Sequence, residues 1–231
     1  MESMREEKTF RHTLPADIER TSMEIITREL AERGITVPEE NLAVVRRVIH
    51  TTADFDYAEN LRFSDHAVMR GIRAMTRGRV IITDTNMALA GISRPTLEKL
   101  GVEARCFMAD PKVAQMAKNK SMTRASASMI FAAEHYPGAV FAVGNAPTAL
   151  IRLCEQIEAG FRPSLVAAVP VGFVNVVESK EVLFAACERY GVPAIAAMGR
   201  KGGSNVAAAI CNALIYSATE MLDPSARGWN G

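Results

Sequence analysis

The 231-residue chain is 48% apolar and 23% charged, enough apolar material for one large globular domain spanning residues 1–231. Its 27 Lys and Arg nearly cancel its 26 Asp and Glu, so no bulk field draws it onto nucleic acid or an anionic membrane, and any affinity for anions has to be local. The polar opening residues contain no apolar leader core, and no run of roughly 18 apolar residues occurs, so neither secretion nor a membrane-spanning helix is expected.

In chain order, the first third reads as helix. A segment from Pro15 to Arg33 is stopped by Gly34, and a second from Pro38 to Thr52 carries Leu42, Val45 and Ile49 at helical spacing. A third follows Ser64-Asp65, read as a capping pair, and carries Val68, Ile72 and Met75 before Gly78. The pattern then changes to short apolar runs at Arg79–Thr83, Glu103–Met108, Ala139–Val143, Leu165–Val169 and Ala194–Met198. Helical segments at Arg124–His135, Pro147–Glu158 and Ser179–Tyr190 intervene, and Asn205–Met221 follows the last run. Apolar runs without polar alternation suit strands covered on both faces, and the intervening helices make parallel crossovers. The expectation is an α/β fold: a doubly wound, mostly parallel sheet of about five strands, with helices on both faces and a helical N-terminal extension over residues 1–78. Cys106, Cys154, Cys187 and Cys211 are far apart and show no metal-ligand spacing. Free thiols in a cytoplasmic protein are expected, with no protein-bound metal and no cofactor.

Ligands of an open parallel sheet bind beyond the carboxyl ends of its strands. Three unusual segments fall there: Gly144-Asn145-Ala146-Pro147-Thr148, Pro170-Val171-Gly172-Phe173-Val174 followed by Glu178-Ser179-Lys180, and Gly199-Arg200-Lys201-Gly202-Gly203-Ser204. Glycine admits close ligand approach, and helix starts offer unpaired N–H donors to anions. Each loop taken singly is also ordinary turn punctuation. The last one has some likeness to a phosphate-binding turn but matches neither the dinucleotide nor the Walker pattern, so a nucleotide site is disfavoured. Arg124, Lys180, Arg200 and Lys201 supply cations at or beside these loops. Among the histidines, His12 lies in a polar arm, His66 just inside a helix start and His135 near a helix end. His50 follows Arg46 and Arg47 by four and three residues on one helix face; their charges should lower its pKa below ~6.5, leaving either a proton-exchanging or a structural histidine. No G-x-S-x-G elbow or paired catalytic carboxylates are seen.

From about Asp17 to Tyr216 the chain resembles the precorrin-8X methylmutase family, which includes cobalt-precorrin-8 methylmutases of cobalamin biosynthesis. The resemblance rests on Val48-Ile49-His50, the stretch from Asp84 to Gly91, Thr123-Arg124, Gly144 to Ala149, Pro170 to Val174, Glu178-Ser179-Lys180 and Gly199 to Ser204, in the family's order. It implies a homodimeric isomerase with active sites close to the subunit interface, which moves a methyl group from C11 to C12 of a corrin-like macrocycle by a 1,5-sigmatropic shift. The family's catalytic histidine falls on His50. A substrate-contacting serine of the family falls on Ser22, with Thr21 as a rival, and substrate binding is further expected at His50, Arg124, Gly144, Asn145, Thr148, Gly172, Phe173, Ser179, Lys180, Arg200, Gly202, Gly203 and Ser204. A methyl shift needs no nucleophile, redox centre or methyl donor. A carrier that binds an acidic macrocycle without turning it over is the alternative, since a carrier needs the anion contacts but no proton donor.

Overall fold

A computed structural model describes residues 12–227; most of the polar opening stretch, residues 1–11, lies outside that range. The elements run in chain order α1 Pro15–Glu32, α2 Glu39–Thr52, α3 Tyr57–Asn60, β1 Leu61–Phe63, α4 Ala67–Thr76, β2 Ile81–Thr83, α5 Asn86–Gly91, α6 Arg94–Leu100, β3 Ala104–Cys106 and α7 Pro111–Asn119. They continue with α8 Arg124–His135, β4 Val140–Val143, α9 Pro147–Glu158, β5 Leu165–Ala168, α10 Val176–Arg189, β6 Ala194–Ala197, α11 Ser204–Ala218 and a 3-10 turn at Pro224–Arg227.

The five expected strands are present as β2 to β6, all parallel where they pair. The sheet order is β1-β6-β5-β4-β2-β3. The sixth strand, β1, adds to the β6 edge antiparallel, with Leu61 opposite Ala197 and Phe63 opposite Ile195. Three residues are too few to show an alternation, and tertiary pairing alone makes this segment a strand. Side chains of the central strands alternate between two cores. Ile81, Val140, Leu165 and Ile195 enter the core beneath α2, α4 and α11; Ile82, Phe141, Val166 and Ala194 enter the one beneath α8, α9 and α10. Strands β4, β5 and β6 are buried along their whole length, which is why their sequence shows no polar period.

Alanines at 167, 168, 194, 196 and 197 are fully buried and leave little side-chain bulk between sheet and helices. Helix α11 uses that space. It is buried on nearly every side and packs against α2, α4 and α5, so its alanine-rich run is packing surface.

Three local expectations are corrected. Ser64 and Asp65 do not cap α4, which begins after His66 in the left-handed region (φ 51°) with no side-chain cap. Ser64 Oγ instead accepts the Ala194 N–H at 2.8 Å and ties β1 to β6. Helix α10 begins at Val176, three residues before the expected Ser179. Helices α5, α6 and α7 occupy stretches with no expected element; each is short, and α7 is started by Asp110 Oδ1 accepting the Lys112 N–H at 2.7 Å ahead of Pro111.

Candidate active site

In the strand order β6-β5-β4-β2-β3 the connection reverses direction between β2 and β4. An open α/β sheet has its crevice at such a switch point, beyond the strand ends. Here a side chain fills it. Asp84, immediately after β2, is 1% exposed. Its Oδ1 accepts the Gly144 N–H, and its Oδ2 accepts those of Asn145 and Ala146, each at 2.8 Å. Only a carboxylate accepts from all three donors at once. Burial pushes its pKa up, and the three donors pull against that rise. The loop after β4 therefore spends its N–H donors on Asp84, and the expectation that they face a ligand anion is revised. Thr148 remains half-buried at the helix start, its hydroxyl 2.9 Å from that of Thr123, which caps α8. That contact sets the first residue of α8, Arg124, beside the start of α9; Arg124 is exposed.

The loops after β4, β5 and β6 form one body. An added Cβ on Gly144 would lie 2.7 Å from Gly203 O and from Ser204 Cα, so only glycine permits that approach. Gly202 has φ 158°, and a Cβ there would lie 2.2 Å from Val169 O. Gly203 N–H donates to Val169 O at 2.9 Å and Gly172 N–H to Arg200 O at 3.3 Å. Ser204 Oγ lies 2.8 Å from Thr85 Oγ1, the cap of α5.

Lys180 has a different task from the expected anion contact. It is 0% exposed, and its Nζ donates to Gly199 O at 2.8 Å and to Lys201 O at 2.7 Å. Burial pushes its pKa down to about 8. The ammonium is a strut beneath the last loop, facing carbonyls. Ser179 is buried as well, its hydroxyl donating to Val176 O at 3.0 Å. Lys201 reaches back to Asp54 at 2.7 Å and Asp56 at 2.5 Å, and the two carboxylates raise its pKa. The surface they leave is apolar and cationic. Phe173 is 82% exposed, with the exposed Arg200 guanidinium 5.4 Å from its ring centre; Val174, next in the chain, and Asn145, in the loop after β4, are exposed as well.

The Lys201 pairs also join this body to the end of α2, because Asp54 lies four residues after His50. His50 is half-buried, and its Nδ1 lies 2.7 Å from Ser22 Oγ on α1. Of Ser22 and Thr21, it is Ser22 that makes this contact. No hydrogen-bond partner for the other ring nitrogen is found among the described residues. Burial lowers the His50 pKa most, the Arg47 charge lowers it further, Glu19 opposes and Arg227 adds to the fall. The expected direction holds, with a corrected cause: burial leads, and Arg46 turns away to Thr27 Oγ1 at 3.1 Å.

Beneath His50 lies a feature the sequence reading missed. Glu19 is 4% exposed and accepts from Arg47 at 2.6 Å and Arg227 at 2.5 Å. Burial alone would raise its pKa, but the bonds and charges of the two guanidiniums win and hold it below the usual carboxylate range. Arg47 and Arg227 also lie 5.0 and 4.3 Å from the Tyr216 ring centre on α11. One carboxylate thus pins α1, α2 and the C-terminal turn together, and so fixes Ser22 against His50. The signal for it is long-range, since Glu19 and Arg227 are 208 residues apart.

The remaining histidines serve locally. His12 pairs with Asp17 and His66 with Glu40 at the surface, and His135 bonds Phe131 O and stacks on its ring. All four cysteines are free. Among the described residues no group of three His, Cys, Asp or Glu is arranged to hold a metal, and no helix is long and apolar enough to cross a membrane.

Comparison with known proteins agrees with this architecture. The family model described as precorrin-8X methylmutase matches residues 17–217. A cobalt-precorrin-8 methylmutase of Salmonella typhimurium is 44% identical over 213 residues, covering 89% of this chain and 97% of the relative. A precorrin-8X methylmutase of Pseudomonas aeruginosa is 39% identical over 198 residues, covering 85% and 93%. The solved structure of a precorrin-8X methyl mutase from Thermus thermophilus superposes with a TM-score of 0.79 at 40% identity, covering 88% of this chain and 98% of that one. With the family match covering nearly the whole described fold, the chain belongs to the precorrin-8X methylmutase family.

Proposed function

We propose that this chain is an isomerase that moves a methyl group from C11 to C12 of precorrin-8X, giving hydrogenobyrinate, or of cobalt-precorrin-8, giving cobyrinate. The observation that carries the reading is the Ser22–His50 pair, 2.7 Å apart, at the end of a helix tied through Asp54 and Lys201 to the glycine loops.

A sigmatropic shift asks the enzyme for no external reactant. It asks for one tautomer of a conjugated ring, held in a reactive shape, with support for the charge that develops in the transition state. Burial and the Arg47 charge, by lowering its pKa, favour the neutral imidazole of His50. If the Ser22 hydroxyl donates to Nδ1, the neutral ring carries its hydrogen on Nε2. His50 then acts as a positioned hydrogen-bond donor that polarises the ring near the migrating methyl. A preorganised donor of this kind contributes on the order of 10²–10³ in rate. It also serves a cobalt-loaded ring, whose nitrogens are occupied and poor proton acceptors.

The exposed Phe173 face meets the flat macrocycle, while Arg124 and Arg200, with Thr148 between them in the chain, hold its carboxylate arms. Ser179, Lys180, Gly144, Gly202, Gly203 and Ser204 act one step back, by shaping the loops. We further read the protein as a cytoplasmic homodimer, its second copy seated near the exposed Phe173 and Val174; sedimentation at several concentrations tests the dimer.

Purified protein is incubated separately with each macrocycle while the visible spectrum is followed. Conversion of one or both establishes the isomerase and its substrate. Stoichiometric binding without spectral conversion of either would show the carrier instead.

A further inference from the structure

At the opposite edge of the sheet, where the parallel strands begin, lies a cleft of about 310 Å³ lined by five arginines. Arg79 precedes β2, Arg162 precedes β5, Arg70 and Arg73 come from α4, and Arg77 is its C-terminal cap. Among the described residues no acidic side chain lines it. In a chain of net charge +1, this is a concentrated local excess of positive charge.

The walls are fixed by two of the five. Arg70 Nη2 donates to Gly191 O at 2.9 Å. Arg162 Nη1 donates to Ile157 O at 2.6 Å and Phe161 O at 2.8 Å, with its guanidinium 5.1 Å from the Tyr190 ring centre. The other three are uncommitted. Arg73, Arg77 and Arg79 are exposed and make no side-chain hydrogen bond or ion pair with any described residue. Arg79 lies over Gly138, where a Cβ would come within 3.4 Å of its guanidinium. Arg70 and Arg73 stand at i and i+3 on α4, and Arg77, the residue that caps the helix, follows Arg73 by four. Like charges at that spacing repel by several tenths of a kcal/mol per pair in the free protein; a bound anion reverses the sign.

We infer that this cleft is a binding site for an oligophosphate group, separate from the methylmutase site at the other sheet edge. A single carboxylate carries one charge, too little for three free guanidinium forks. A di- or triphosphate brings several charges and many acceptor oxygens into a volume this small, in the geometry that arginine engages bidentately. The source is either an inorganic oligophosphate or the phosphate tail of a nucleotide. No aromatic ring is among the described residues that line the cleft, and both sources bind through the same phosphates.

The full chain is titrated calorimetrically at low salt with tripolyphosphate, with ATP and with citrate. One saturable tripolyphosphate site per chain is expected, with ATP within a few-fold and citrate weaker. The triple variant Arg73→Gln/Arg77→Gln/Arg79→Gln should lose at least about a hundredfold in affinity, since bonds to charged groups are each strong, and Arg77→Gln alone about tenfold. Arg124→Gln/Arg200→Gln, at the opposite edge, should bind as the wild type does. The inference is overturned by the absence of saturable tripolyphosphate binding. It is equally overturned by affinity that survives the triple variant or falls in the Arg124/Arg200 one, by ATP binding without tripolyphosphate binding, or by citrate binding as tightly. If the triple variant melts early, Arg77→Gln provides the same decision.

Discussion

Replacing Asp84 by Asn keeps the shape of the side chain that fills the switch-point crevice and changes its hydrogen-bonding chemistry. The carboxylate accepts three backbone N–H groups. An amide places its oxygen best toward Asn145 and Ala146 and turns its NH2 against the Gly144 N–H. Two bonds lose their charge assistance, costing about 1 kcal/mol each, and the Gly144 donor, now buried without an acceptor, costs ~1–3 kcal/mol. Relief of a buried charge returns part of this, since burial already presses the Asp84 pKa upward. The net expectation is a loss of about 2–4 kcal/mol, which in a chain of this size lowers the melting temperature by roughly 5–15 °C. Urea melts with an unchanged slope measure the loss directly. Gly144 is packed on Gly203 and Ser204, so the slackening should spread to the last loop and lower kcat as well. A variant within about 0.5 kcal/mol of wild type would refute the reasoning, because it would mean that this carboxylate does not hold the loop.

His50→Ala should still bind the macrocycle but turn it over on the order of 10²–10³ more slowly; a near-normal single-turnover rate removes His50 from the mechanism. For the neutral donor, kcat/KM should stay level above pH 6.5 and fall as acid protonates His50 below that, and the opposite slope would identify a cationic acid. The same lowered pKa makes folding lose stability as pH falls below ~6.5, because the unfolded chain takes up the proton first. Ser22→Ala should cost about fivefold in kcat, the worth of one neutral hydrogen bond, with Ser22→Thr restoring part of it. Glu19→Gln removes a charge that raises the His50 pKa, so NMR titration should find it lower still, and Glu19→Ala, which takes away the buried carboxylate that Arg47 and Arg227 share, should cost about 3–5 kcal/mol. Lys180→Met leaves the Gly199 and Lys201 carbonyls without their donor; amide exchange over residues 199–204 should speed up with little change in α8.

The amino-acid sequence by itself determined the class of fold and the edge at which to look. Five unbroken apolar runs separated by helical segments admit few arrangements other than a covered parallel sheet, since buried strands need helices on both faces and short links need crossovers. The glycines and cations after those runs placed the candidate loops, and the motif order pointed to His50 and Ser22. The partners of those groups were decided only in three dimensions. Nothing local shows that Lys180 faces carbonyls instead of solvent, that Asp84 consumes the donors of a loop 60 residues away, or that Glu19 closes on Arg227. A side chain's local spacing tells which face of a helix it occupies, whereas its hydrogen-bond partners depend on which distant backbone is brought within 3 Å, and that is a property of the packed chain alone.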